Sequence, residues 1–332
     1  MSIAVLQQGI MDTIQDKGRY GFQHLGINPG GVMDRIAMAV ANALTGNPPG
    51  EAVLELHFPA GKYLFEAPAL IALSGGDFSA AINGLAVPMH KLLYVQAGAI
   101  LTFEKLRSGA RCYLAVRHGF SLTPWLGSYS THLKVAQGGF NGRALRKGDK
   151  LPLRQSAQFT GDRHPETFPW TAATSHLYHQ QGAVRILPGA CWDILEASSQ
   201  QQLTTGSFLI GPHSDRMGFR LNGTPLRTVR KEEQLSAGIC RGAIQLLPDG
   251  QLIILMADHQ TTGGYPVAAH VITADMPALA QYQPGQSLQF SVISGEAATT
   301  ALWQQEKAVR YLQHASQLHL EKWLLPYELY RS

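Results

Sequence analysis

Apolar residues in this chain come in short runs, each stopped by glycine, proline, aspartate or asparagine. KYLFEA, ALIALSG, KLLYVQAG, AILTFEKL, RCYLAVRHG, AVRILPG, GSFLIGP, AIQLLPDG and LQFSVISG are examples. Segments of that length at that spacing, with few helical patterns between them, predict a mainly β protein built as sheet or barrel. LQFSV alternates and suits a strand with one wet face. QLIILM is more continuously apolar and is expected at the centre of its sheet.

Two segments follow the helical period instead. In MDRIAMAVANALTGN, Met33, Ile36, Ala37, Val40 and Leu44 share one side, Asp34 is placed to cap the start, and Gly46 marks the end. In TTALWQQEKAVRYLQHASQLHLEKW, Leu302, Ala308, Leu312, Ala315 and Leu318 form an approximate stripe, as in a helix laid on a sheet or a partner. The polar stretch RQSAQFTGDRHPETFPWTAATSHLYHQQG has no clean period and is expected to connect two lobes, with a boundary around 155–180. The expected division is a β-rich lobe over 1–165, a second over 180–297, and a helical extension over 298–332.

Composition agrees with two lobes: 332 residues, 45% of them hydrophobic, exceed what one small domain needs. The net charge of +4 is spread along the chain, without the basic footprint of a nucleic-acid binder. Cys112, Cys191 and Cys240 form no CxxC pair, which argues against a disulfide framework and a cysteine zinc site. No metal site is expected. The N-terminus meets acids before any long apolar region, and no apolar run reaches the roughly 18 residues of a membrane helix. A soluble cytoplasmic protein without membrane contact is expected.

Three polar clusters carry the candidate chemistry. The first, QDKGRYGFQHLGINPGGVMD, sets Arg19, His24 and Asn28 among glycines that let backbone amides approach a ligand; it reads equally as a loop with an internal Asp16–Arg19 pair. The second, GPHSDRMGFRLNG, holds His213, Arg216 and Arg220. In an extended stretch the two arginines share a face suited to an anion, or to a salt-bridged hairpin. The third, ADHQTTGGYP, follows QLIILM. Asp258 is expected at the strand's mouth as a partly solvated acid fit for proton transfer, and His259 is the neighbouring imidazole. Gln260, Thr261, Thr262 and the amides of Gly263 and Gly264 are placed to orient a carbonyl or carboxylate, although turn plus cap is the competing reading. DKGRYGF and SDRMGF echo each other, with Arg-x-Gly-Phe after an acid in both. There is no GxxxxGK[ST], HExxH or GxSxG motif, so the chain is poorly equipped to activate ATP alone.

TIQDKGRYGFQHLGINPGGVMDRIAMAVANALTGNPPGEAVLELHF, PHSDRMGFRLNG and GAIQLLPDGQLIILMADHQTTGGYPVAAHVITAD resemble the signatures of the biotin-dependent carboxyltransferase-like family. That family includes one component of bacterial 5-oxoprolinase, the KipA proteins, allophanate hydrolase subunit 2 and part of urea carboxylase. The resemblance runs from about residue 5 to 295. It implies a cyclophilin-like β-barrel architecture and two partner proteins, one KipI-like and one of LamB/YcsF type. The implied reaction is ATP-dependent opening of 5-oxo-L-proline to L-glutamate, active only with the partners and with the ATP site not wholly on this chain. KipA-type sequestration of a kinase inhibitor, or urea carboxylase or allophanate hydrolase work, are the alternatives. No biotin-bearing segment is present, so biotin is not expected. On this resemblance Arg19, Arg216 and Arg220 become candidates for holding a carboxylate or acyl phosphate. Asp258 becomes the preferred proton acceptor, with His259 beside it. Gln260, Thr261 and Thr262 would position the lactam, with His24, Asn28, His213, Gly263 and Gly264 around it.

Overall fold

The computed structural model describes residues 1–157, 168–178, 182–230 and 235–328, with side chains as far as Leu324. Much of the expected connection at 155–180 therefore lies outside the described residues. The chain is mainly β and folds as two compact units. The first comprises 1–18, 34–177 and 306–332; the second comprises 19–33 and 178–305.

In the first unit two sheets share one core. One sheet runs Lys150–Pro152, Ser2–Gln7, Lys62–Phe65, Ile100–Phe103, Ala80–Ile82, Leu85–Ala86; the other runs Thr13–Gln15, Val53–His57, Ser108–Val116, Ala69–Asp77, Leu92–Val95. Ile3, Tyr63, Phe65 and Leu101 from the first sheet meet Ile14, Leu54, Ile71 and Leu114 from the second. Alternation decides which residues do so, because successive side chains on a strand take opposite faces. Glu55, between Leu54 and Leu56, consequently turns away from that core, where the Tyr113 hydroxyl donates to it at 2.9 Å. The helix α1 (Arg35–Thr45) packs on strands Ala69–Asp77 and Ser108–Val116. Asp34 caps it as expected, Oδ1 accepting from the Ala37 N–H at 2.9 Å, and Gly46 ends it in the left-handed conformation at φ 72°. Asp16, from the first polar cluster, is tied into its own loop surroundings. Its carboxylate accepts from the Gly18 and Tyr129 amides and from the Ser128 and Ser130 hydroxyls, at 2.6–2.8 Å.

The second unit is a barrel-like sheet. Its order is Ser287–Leu288, Phe208–Ile210, Gly218–Asn222, Leu252–Leu255, Ala243–Leu246, Val267–Val271, Val184–Pro188, Phe290–Val292. The two end strands are separated in sequence by Gln289 alone, so the sheet must curl until its ends nearly meet. The linking Gln289 carbonyl accepts from the Val184 N–H at 2.8 Å, continuing the pairing of Val184–Pro188 with Phe290–Val292. QLIILM supplies a strand in the middle of the sheet, as its continuous apolar character predicts. Ile186, Phe208, Phe219, Ile244, Ile254 and Phe290 fill the interior. Two short helices, α2 (Ala197–Thr205) and α3 (Met276–Leu279), accompany the barrel. The Arg185 guanidinium holds Asp275, just before α3, with bonds as short as 2.6 Å.

The C-terminal helix α4 spans Gly295–Glu328, starting earlier than the apolar stripe suggested. Its later turns contribute to the first unit, where Trp170 stacks on His319 at 4.7 Å and Phe168 meets Trp323 at 5.0 Å. Among the described residues, no helix is long and apolar enough to cross a membrane.

Asp12 gives the first unit a pH dependence. This fully buried acid accepts hydrogen bonds from the Tyr63 hydroxyl and from the Gly61 and His57 amides. Burial nonetheless dominates these bonds and raises its pKa to about 6. The fold therefore prefers the protonated acid. That contribution is complete below the unfolded-state value and is lost as pH rises through about 6. A shift of this size corresponds to roughly 3 kcal/mol. Denaturant unfolding of wild type and Asp12→Asn at several pH values should show the wild-type advantage shrinking by up to that amount between about pH 4 and pH 7.

Candidate functional site

The second unit brings parts of all three polar clusters together at one turn, Asn28–Val32. Gly30 and Gly31 adopt φ values of 61° and 92°, which a side chain would strain. A Cβ on Gly30 would stand 3.1 Å from Arg19 Nη1 and 3.6 Å from Asp258 Oδ1, so the bare glycine lets both groups close in. Arg19 is buried, and its N–H donates to the Pro29 carbonyl at 2.8 Å. The Asn28 side-chain amide donates to the Asp258 carbonyl at 2.9 Å, while the buried Asn28 Oδ1 has no partner among the described residues.

Arg216 and Asp258 form the centre of this arrangement. Arg216 Nε donates to Asp258 Oδ2 at 2.8 Å and Nη2 to Oδ1 at 3.0 Å, a two-bond fork. The same Nη2 donates to the Gly31 carbonyl at 2.6 Å, and the Asp258 N–H donates to the Arg216 carbonyl at 2.8 Å. Asp258 does lie just beyond the mouth of strand Leu252–Leu255. There both of its carboxylate oxygens accept hydrogen bonds from the Arg216 guanidinium.

His259 is buried beside it in the turn, with Nδ1 2.5 Å from the Gln260 carbonyl. Burial is the largest influence and holds its pKa below the ordinary imidazole value. The Gln260 bond opposes this and nearby Arg241 adds to it. At neutral pH His259 is therefore an uncharged ring with a donor at Nδ1. Arg241 was not singled out from the sequence, since GICRGA surrounds it with little polar context. Its guanidinium donates to the Val32 and Met33 carbonyls. Three successive carbonyls, Gly31 to Met33, are thus fixed by two arginines.

The remaining candidates, Gly264 excepted, line two clefts. The first, about 590 Å³, is bounded by His24, Thr261, Thr262, Gly263, Cys240 and His270. A two-stranded ribbon, Ala237–Gly238 with Thr262–Gly263, builds one wall. Cys240 Sγ lies 3.8 Å from His270 Nδ1; burial raises the thiol pKa and lowers that of His270, so both are neutral near pH 7. The second cleft, about 530 Å³, holds His213, Arg220 and Gln260. Tyr265 borders both clefts, while Gly264 lines neither. Arg216 and Arg220 do not share a face. Asp215 Oδ1 accepts the Met217 and Gly218 amides and makes a turn, so the strand begins only at Gly218, after Arg216. Arg216 is buried as a result and Arg220 points outward.

Comparison with known proteins places this fold among carboxyltransferase domains. Residues 25–292 match the carboxyltransferase domain, subdomains A and B, and the chain belongs to that family. It is 35% identical over 319 residues to the C subunit of 5-oxoprolinase from Escherichia coli K12, covering 96% of this chain and 99% of that protein. It is 28% identical to urea amidolyase of Saccharomyces cerevisiae, but spans only 18% of that protein's length. Among solved structures, the Kluyveromyces lactis urea amidolyase superposes with a TM-score of 0.86 at 28% identity, over 94% of this chain and 20% of that one.

The fork can be measured directly. Arg216→Ala leaves a mostly buried carboxylate unpaired and is expected to cost about 3 kcal/mol or more in unfolding free energy. Asp258→Ala added to it should cost much less than the sum of the two single losses. Strict additivity in that double-mutant cycle would show that the two charges do not depend on each other.

Proposed function

We propose that this chain is one component of a heteromeric 5-oxoprolinase that opens 5-oxo-L-proline to L-glutamate with ATP hydrolysis. The observation that carries this reading is the near end-to-end match to the 5-oxoprolinase C subunit, against a match to about a fifth of the urea amidolyases. In this reading the lactam ring lies in the cleft bounded by Thr261, Thr262, Gly263 and His24. Hydroxyl and amide donors there polarise the lactam carbonyl as its C–N bond is broken by water. The Arg216–Asp258 fork and Arg241 keep the Asn28–Val32 turn rigid beside it, so the donors are held before the ligand arrives. ATP is bound with the help of partner proteins, a KipI-like chain and a LamB/YcsF-type chain, because this sequence has no phosphate loop of its own.

Mixing the full chain with those two partners should give ATP-dependent glutamate release from 5-oxoproline. A complex that assembles yet releases no glutamate would refute the reading. Within an active complex, Thr262→Val should lower kcat/KM about tenfold or more while leaving assembly intact. The structural match to urea amidolyase favours one other reading, carboxyl transfer to urea; turnover of urea with a carboxylated biotin carrier, and none of 5-oxoproline, would establish it.

A further inference from the structure

The cleft of about 530 Å³ presents opposite charges that do not neutralise each other. Arg220, Asp215 and Asp249 all line it, together with His213, Gln260 and Tyr265. Among the described residues Arg220 forms no salt bridge with either acid. Each acid is instead engaged by nearby backbone amides. Asp215 Oδ1 is engaged by the Met217 and Gly218 amides, at 2.7 and 3.2 Å, and Asp249 Oδ1 by the Gln251 amide at 3.0 Å. The stem of Arg220 is equally fixed. Its N–H donates to Ser214 Oγ at 3.1 Å, its carbonyl accepts from the Gly211 N–H at 2.7 Å, and it pairs with Ile253 within the barrel sheet. Each carboxylate keeps an oxygen for another donor, and the guanidinium keeps its fork for another acceptor.

A ligand satisfying such a cleft carries a carboxylate and an ammonium on one small frame. We propose that this cleft is a binding site for a free α-amino acid, its carboxylate on Arg220 and its ammonium on Asp215 or Asp249. Gln260 and Tyr265 are placed to contact the side chain. The site is separate from the Thr261–Gly263 cleft, with Tyr265 bordering both. If the 5-oxoprolinase reading holds, the product L-glutamate belongs to the class of ligand recognised. The amino-acid assignment itself rests on the charges and not on that reading.

Calorimetric titration of the full chain, without partners or ATP, tests this separately from turnover. L-Glutamate and L-alanine should bind saturably, and glutarate, which lacks the ammonium, should bind about tenfold more weakly or worse. Arg220→Gln should weaken L-glutamate binding about tenfold or more with an unchanged Tm, since the side chain is exposed. Either Asp215→Asn or Asp249→Asn should do the same, which identifies the ammonium partner. Absence of saturable amino-acid binding, equal affinity for glutarate, or unchanged affinity in Arg220→Gln would each overturn the proposal. Binding that persists in a chain whose complex releases no glutamate would uphold this site while removing the 5-oxoprolinase reading.

Discussion

The charged fork between Arg216 and Asp258 is the constraint on which the candidate site depends. Taking two ions largely out of water costs several kcal/mol each, and their attraction recovers this only with good geometry and further hydrogen bonds. Both conditions are met: two parallel bonds join the pair, and the spare donor of Arg216 is taken by the Gly31 carbonyl. Asn28 and the Arg216 carbonyl add bonds to the Asp258 backbone. The result ties three segments, around residues 28–31, 216 and 258, into one unit. Such a pair contributes less to net stability than to the choice of a single arrangement, because any other pairing leaves a buried charge exposed to the low-dielectric interior.

The fork also separates support from contact. Asp258, His259, Arg216 and Arg241 are occupied with backbone carbonyls, with amides or with each other. The side chains that face open space, such as Thr262, His24, Arg220 and His213, sit on either side of the Gln260–Tyr265 segment. Rigid inner residues presenting a more exposed outer set is the arrangement by which binding groups are held before a ligand arrives.

How much of this was legible in the sequence varied with the physical range of the interaction. The helix α1 was readable because its cap, its apolar spacing and its terminal glycine are all local signals. The β-rich fold followed from short runs broken by turn formers, and the central place of QLIILM from its lack of a polar face. The polar clusters were found as regions, because glycine and charge density are local too. Their internal division was not. Arg216 and Arg220 looked like neighbours on a strand until the Asp215 turn delayed the strand's start. Gln260 and Thr261 are adjacent in sequence yet line different clefts. Arg241 and Asp12 carried no signal, because their importance comes from partners that are distant in sequence. Asp258 was legible as a strand-mouth acid, but the guanidinium that claims it lies 42 residues away.

The single residue between the two end strands of the barrel has a bearing on assembly. Exposed strand edges are a common docking surface, because unpaired backbone groups accept an incoming strand. Here one end strand has 2 residues and the other 3, and the chain passes from one to the other through Gln289. The principal sheet of the second unit thus offers almost no free backbone ladder. A protein that attaches to this sheet would have to recognise side chains and turns rather than extend its ladder.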